Sequence, residues 1–413
     1  MKRRVVVTGL GVVSPLGNTA AETWEGLLAG RSGAAPIRRF DPSNLDVRFG
    51  CEVKQFDPLK FIDKKEARRY DQFLQYAIAA TVEATCDAGF DGTLSVPERT
   101  GVIIGSGIGG IGTFEEQCKI FLQQGPQRVS VFFVPMFIPD IASGIVSIRL
   151  GAKGPNYCTV SACASSAHAI GESYRIIQRG EADVMVTGGA ESAITPLAIA
   201  GFSNMKALSM RNDAPEKASR PFDQERDGFV MGDGSGVVIL ESLEHALDRG
   251  ARIHAEIVGY GMSADAYHIT QPAPGGEGAK RAMLACLADG DISPTDIGYI
   301  NAHGTSTPVG DVAEVKAAKE VFGEHAKKLI MGSTKSMTGH LLGAAGGLEF
   351  AISVLVLKHG EIPPTINQDD PDPECDLDCA PNRKARRQVD VALSNSFGFG
   401  GHNASLAVRR YQG

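Results

Sequence analysis

The chain has 413 residues, 43% of them hydrophobic, 22% charged and 7% aromatic, with 49 glycines and a formal net charge of −7. That length and apolar content suffice for a large core in two domains or two halves. The acidic balance argues against a general nucleic-acid or anionic-membrane binder, and eight cysteines without a framework of spacings argue against a disulfide scaffold or a zinc cluster.

The first predicted element is a core strand at Val5-Val6-Val7-Thr8-Gly9-Leu10-Gly11. Met1-Lys2-Arg3-Arg4 gives it the superficial look of a secretory leader, but the apolar part is β-branched and interrupted by Gly9 and Gly11, which favours a strand that cleavage would destroy. Lys64-Lys65-Glu66-Ala67-Arg68-Arg69 is a compact basic run whose plain reading is a solvated helix face. A strand at Gly101-Val102-Ile103-Ile104 leads into Gly105-Ser106-Gly107-Ile108-Gly109-Gly110. Those glycines invite comparison with a dinucleotide fingerprint, but no acidic ribose partner follows in a clear strand, so a nucleotide site is the weaker reading. Residues 132–148 are apolar, yet Pro135, Pro139 and Asp140 interrupt them and no membrane span is expected.

Gly154-Pro155-Asn156-Tyr157-Cys158-Thr159-Val160 reads as a turn feeding a short β-rich segment, and Ala164 to Ile170 is compatible with helix. Ser161-Ala162-Cys163-Ala164-Ser165 therefore presents one cysteine among small neighbours where extended chain becomes helix. Unsatisfied backbone N–H groups at a helix start favour the thiolate, which makes Cys163 a candidate nucleophile; the alternative is a buried packing cysteine. Asn301-Ala302-His303-Gly304-Thr305-Ser306-Thr307 follows the apolar run Ile297–Ile300, so His303 falls at a strand exit among small and hydroxylated residues. Lys335-Ser336-Met337-Thr338-Gly339-His340 leads into a glycine- and alanine-rich helix through Glu349, suited to very close packing or substrate approach, with His340 at its opening. Each histidine alone has a structural alternative, but three sites in one strand-to-helix context point together to a catalytic centre. Cys375 and Cys379 have the wrong spacing for a redox pair and lie in a Pro- and Asp-rich loop.

Segments also echo one another in order. Val5–Gly11 is repeated by Ala255–Gly261, Gly101–Gly107 by Gly298–Gly304, and Asp183–Gly189 by Asp390–Asn395. The pattern predicts an internal duplication.

Val160–Ser166, Asn301–Thr307, Lys335–His340 and Asn395-Ser396-Phe397-Gly398-Phe399-Gly400-Gly401 together resemble the signature blocks of the β-ketoacyl-[acyl carrier protein] synthases, and the likeness extends over essentially the whole chain. Gly107–Gly112 and Gly259–His268 resemble the type II elongating branch of bacterial fatty-acid synthesis. The resemblance implies an α/β fold of thiolase type, layered αβαβα, with two mixed five-stranded sheets around buried helices. It divides the chain into a half over 1–251 that carries Cys163 and a half over 252–413 that carries both histidines. It also implies a homodimer in the cytoplasm.

The activity implied is a decarboxylative Claisen condensation: an acyl group is loaded on Cys163 and attacked by a carbanion equivalent formed from malonyl-carrier protein. His303 and His340 would aim two neutral N–H donors at the thioester oxygen of the forming enolate, and Lys335 would orient the second histidine and keep it neutral. The backbone N–H groups of Cys163 and Phe399 would hold the acyl oxyanion, and Phe399 would also act as a gate on its glycine loop. Glu349 resembles a buried acid that holds Lys335 or a water. Thr305 and Thr307 would bond the amides of a phosphopantetheine arm, and Ile108 would floor the acyl pocket. Lys65, Arg68 and Lys206 become docking candidates for an acidic acyl carrier protein, whose phosphopantetheine arm brings the malonyl and acyl thioesters. The resemblance implies no cofactor of the chain's own and no metal. Phe397 reads as a core aromatic and His402 carries no catalytic claim. A thiolase would need a second catalytic cysteine near the C-terminus, and an initiating synthase would have asparagine at the position of His340. A type I elongating or polyketide synthase shares the same trio, and a non-catalytic chain-length partner subunit would lack the nucleophile.

Overall fold

Val5–Val13 is buried at every position, as a strand covered on both faces must be, and it forms the first strand (β1) at the centre of the molecule. The computed structural model describes residues 2–90 and 94–413. The other strands of the main sheet are β2 Thr100–Gly105, β3 Asn156–Tyr157, β4 Val184–Glu191, β5 Gly234–Ser242, β6 Ala255–Ala264, β7 Ile297–Asn301, β8 Ile330–Gly332, β9 Val391–Gly398 and β10 His402–Arg409. Across the sheet they run β8-β7-β9-β10-β6-β1-β5-β4-β2-β3.

That order contains a repeat. Read outward from the centre, one side is β1-β5-β4-β2-β3 and the other β6-β10-β9-β7-β8, so each strand has a counterpart five places later in the chain. Parallel and antiparallel pairings match as well: β2 is parallel to β3 and β4 as β7 is to β8 and β9. The three sequence echoes fall on β1 and β6, β2 and β7, and β4 and β9. The two five-stranded sets meet edge to edge through a short antiparallel ladder in which Val5, Val6 and Val7 face Ile257, Glu256 and Ala255.

Helix α1 (Gln72–Asp87) packs on the outer face of the first set. A Cβ at Gly9 would sit 2.1 Å from the Ala84 carbonyl oxygen and one at Gly11 1.9 Å from that of Ala80, so these two glycines are what let α1 approach β1. Helix α2 (Ser165–Gln178) lies between the sets, α3 (Glu277–Asp289) packs on β6 and β10, and α4 (Pro308–Phe322) packs on α3. Helix α5 (Ala345–His359) joins α2 in the middle layer, with every residue from Ala345 to Leu357 buried. The stretch Leu342–His359 is long and apolar enough to cross a membrane by composition, but 89% of it is buried in the core.

Candidate active site

Two similar turns precede α2 and α5, and Cys163 in the first and His340 just before the second meet His303 at one cavity. A 3-10 turn over Ala162–Ala164 precedes α2, and another over Leu342–Ala344 precedes α5. Each is entered through a residue in the left-handed region, Ala162 at φ +50° and Leu342 at φ +48°. Such angles are costly for side-chain-bearing residues and persist where the surroundings fix them. The first turn presents the Cys163 sulfur; His340 stands two residues before Leu342, its N–H bonded to the Val230 carbonyl at 2.7 Å. His303 follows β7, where the Glu314 carboxylate on α4 receives the backbone N–H groups of His303 at 2.9 Å and Gly304 at 2.8 Å.

The Cys163 sulfur and one nitrogen from each of His303 and His340 lie within 4.8 Å of one another. The two imidazole rings meet edge to face, centroids 5.2 Å apart at 85°. His303 Nδ1 and both ring nitrogens of His340 are buried with no hydrogen-bond partner among the described residues. Burial without a partner is costly for a polar atom. These atoms are thus arranged for something that enters the cavity.

That cavity, about 380 Å³, is lined by Cys163, His303, His340, Thr305, Thr307, Ile108, Phe399 and Lys206, among others. The Thr305 and Thr307 hydroxyls are 3.1 Å apart. Lys335 and Glu349 lie beneath as a fully buried ion pair. Lys65 and Arg68 are exposed on the short helix Lys64–Ala67 and at its end, and neither lines the cavity. Phe397 lines it too, its ring 5.8 Å from that of His303, so it is more than a core aromatic. Gly398 to Gly401 close the hairpin between β9 and β10, with Gly400 at φ +84° and Gly401 at φ +73°, backbone that a side chain would strain.

Electrostatics departs from one expectation. The helix start was expected to favour the Cys163 thiolate, but burial dominates and pushes the thiol up to about 12, against the opposing pull of Lys335 and of the backbone N–H groups of Phe399 and Cys163. Both imidazoles are held well below the usual histidine range, first by burial and then by the Lys335 charge; His340 acts on His303 in addition. Burial raises the Glu349 carboxyl, with Lys335 opposing. The sulfur and two nitrogens form a donor set that soft metals accept, but the Lys335 charge that adds to burial in lowering both rings also opposes a cation there.

Three buried acids escaped the sequence reading. Glu314 holds the His303 loop, and Asp311 accepts the Phe222 N–H at 3.0 Å. Their signal was available: both are acidic positions on the inward face of the helix that follows the His303 loop. Glu191, at the end of β4, receives the N–H groups of Gly107 and Ile108. The glycine loop that resembled a phosphate cradle thus already holds a carboxylate of the chain itself.

An α/β fold of two repeated five-stranded sets that gathers one cysteine and two buried histidines at a single cavity accords with a condensing enzyme of the acyltransferase class. The chain matches the beta-ketoacyl synthase N-terminal domain over residues 2–246 and the C-terminal domain over residues 254–369, and it belongs to that family. It is 54% identical over 411 residues to the 3-oxoacyl-[acyl-carrier-protein] synthase 2 of Synechocystis sp., covering 100% of this chain and 99% of the relative. It is 56% identical over 410 residues to the protein of the same name from Staphylococcus aureus, covering 99% of each. Among solved structures, a beta-ketoacyl synthase from Burkholderia phymatum superposes with a TM-score of 0.93 at 38% identity over 100% of both chains. A type II PKS ketosynthase, solved in complex with its acyl-carrier protein and bound to the hexaketide, gives 0.91 at 34% identity, again over 100% of both.

Proposed function

We propose that the chain condenses malonyl-[acyl carrier protein] with an acyl group carried on Cys163, giving a 3-oxoacyl-[acyl carrier protein] in fatty-acid elongation. The observation that carries this reading is the convergence of one sulfur and partnerless imidazole nitrogens on a single cavity. In the first step the sulfur attacks the acyl thioester, the carbonyl oxygen becomes an oxyanion held by the N–H groups of Cys163 and Phe399, and the phosphopantetheine thiol leaves with the sulfur's proton. In the second, a malonyl thioester loses carbon dioxide while His303 and His340 donate to its enolate oxygen. The resulting carbanion attacks the acyl carbon on Cys163, the S–C bond breaks with its electron pair returning to the sulfur, and the thiolate takes up a proton from solvent to restore the thiol. Burial, and then the charge of Lys335 held by Glu349, keep both rings in the neutral form, each with one N–H to donate.

The remaining assignments belong to the same reading. Thr305 and Thr307 bond the arm, Ile108 floors the acyl pocket, and Phe399 opens and closes it. Lys206 at the cavity wall, with Lys65 and Arg68 further out, receives the acidic carrier protein, which brings the only prosthetic arm the reaction uses. The division at 251 and 252 separates sulfur from imidazoles. A homodimer is supported by the open edge at β3 and by apolar side chains exposed in the same half, Val131 at 87%, Leu122 at 81% and Ile148 at 75%. The enzyme works in the cytoplasm, where its carrier protein would meet it.

Incubation with acyl-[acyl carrier protein] and mass spectrometry should give one acyl adduct on Cys163, and adding malonyl-[acyl carrier protein] should discharge it as the 3-oxoacyl product. Absence of the adduct would favour the chain-length partner reading. Extension of polyketide intermediates in preference to plain acyl chains would favour a polyketide synthase.

A further inference from the structure

The site described uses no part of Glu191, although this carboxylate is fully buried and makes four hydrogen bonds. Oε1 accepts from Ser106 Oγ at 2.9 Å and from the Ile108 N–H at 3.3 Å; Oε2 accepts from the Gly107 N–H at 2.7 Å and the Gly343 N–H at 3.0 Å. Those donors come from both halves of the fold. Ser106, Gly107 and Ile108 form the loop after β2, which carries a side chain into the cavity, and Gly343 is the middle of the turn that follows His340.

The repeat explains the geometry. Gly343 is to the turn before α5 what Cys163 is to the turn before α2. With Asp183 matched to Asp390, the residue of β9 that corresponds to Glu191 is Gly398. A Cβ at Gly398 would lie 3.0 Å from the Cys163 nitrogen. The same approach is thus made twice: in one half glycine leaves the Cys163 amide free to hold an oxyanion, and in the other a carboxylate occupies the matching amide. The glycines around the carboxylate fit this role. A Cβ at Gly343 would fall 2.2 Å from the Gly107 nitrogen and 2.6 Å from Glu191 Oε2, and one at Gly107 2.9 Å from the same oxygen.

We infer that Glu191 is a positioning residue: it fills the second half's counterpart of the oxyanion site and clamps the Gly107-Ile108 loop to the turn behind His340, so that acyl chain length is read against a floor fixed to the decarboxylating histidine. This rests on the reading of Cys163 as acyl carrier and Ile108 as pocket floor. Burial pushes the carboxyl up to about 7, against its four donors, so the donors hold a group that the protein interior disfavours as an anion.

Glu191→Gln keeps the shape but turns an amide N–H₂ toward two groups that are themselves donors. Acylation of Cys163 by carrier proteins bearing short, medium and long chains should show the long-to-short ratio of kcat/KM displaced by about tenfold, mainly in KM. Amide exchange at Gly107, Ile108 and Gly343 should accelerate together. An unchanged ratio, or exchange that accelerates in the loop without Gly343, overturns the clamp. If Glu191→Gln does not fold, Ser106→Ala removes one donor only; a displacement of about threefold in the same ratio is expected, and an unaltered ratio overturns the proposal. A wild-type enzyme that takes up no acyl group at all would instead refute the synthase reading, and the exchange measurement would still judge the clamp.

Discussion

The turns before α2 and α5 share a backbone and differ in what they present. Both pass through a left-handed residue into a 3-10 turn and then a helix of the central layer. The first ends in a sulfur facing a cavity; the second has glycine at that point and its amide bonded to Glu191. Duplicated folding therefore supplies two equivalent stations, and chemistry is confined to one by what stands opposite: Gly398 against Cys163, Glu191 against Gly343. The second half contributes instead the groups that precede the turn, His340, and that follow β7, His303. In the proposed reaction the first station carries the acyl group, and the second holds the loop that floors its pocket.

Breaking the active station has the largest expected effect. Cys163→Ala should remove the acyl adduct and lower condensation by on the order of 10⁴-fold or more, as loss of a catalytic nucleophile does elsewhere, measured with carrier-bound substrates. His303→Ala and His340→Ala should each cost about a hundred-fold or more in malonyl decarboxylation while Cys163 still accepts an acyl group, and equal loss of both steps would remove the division of labour. Moving the sulfur to the silent station should fail: Gly343→Cys introduces a Cβ 2.2 Å from the Gly107 nitrogen and is expected to destabilise the protein by about 1–3 kcal/mol or more in denaturant unfolding, with no second adduct. Gly398→Ala crowds the Cys163 amide and should slow loading roughly tenfold, with less effect on decarboxylation. The mildest probe is pH. Because burial pushes the thiol up to about 12, alkylation of Cys163 in the free enzyme should rise with pH by about tenfold per unit from neutrality to well above pH 9; a plateau near neutrality would mean a thiolate already formed.

What was legible in the sequence was local. A cysteine among small residues at a strand-to-helix change, a histidine after a short apolar run and another before a glycine-rich helix can be recognised because the motif and its geometry lie within a few residues. The duplication was legible for the same reason, since β1 and β6 keep the same short pattern. Glu191 was not, because its carboxylate is explained only by donors brought from elsewhere in the chain, as with Gly343, which lies 152 residues from it; Asp311 and Glu314 sat at readable positions on the helix after the His303 loop. The thiol's proton affinity was missed because a helix start is a local feature while burial belongs to the assembled core. The three-residue ladder between β1 and β6 was likewise invisible, for it depends on how two twisted sets come together.

The rims of the sheet have a consequence for association. One ends in β3, two residues long, and the other in β8, three residues long. Edges so short offer few open backbone groups to template indefinite growth, so a ten-stranded sheet avoids the hazard that its width would otherwise create. Any copy that joined at β3 would gain few main-chain bonds there, so the cohesion of such a pair would come from side chains, among them the exposed apolar groups of the same half.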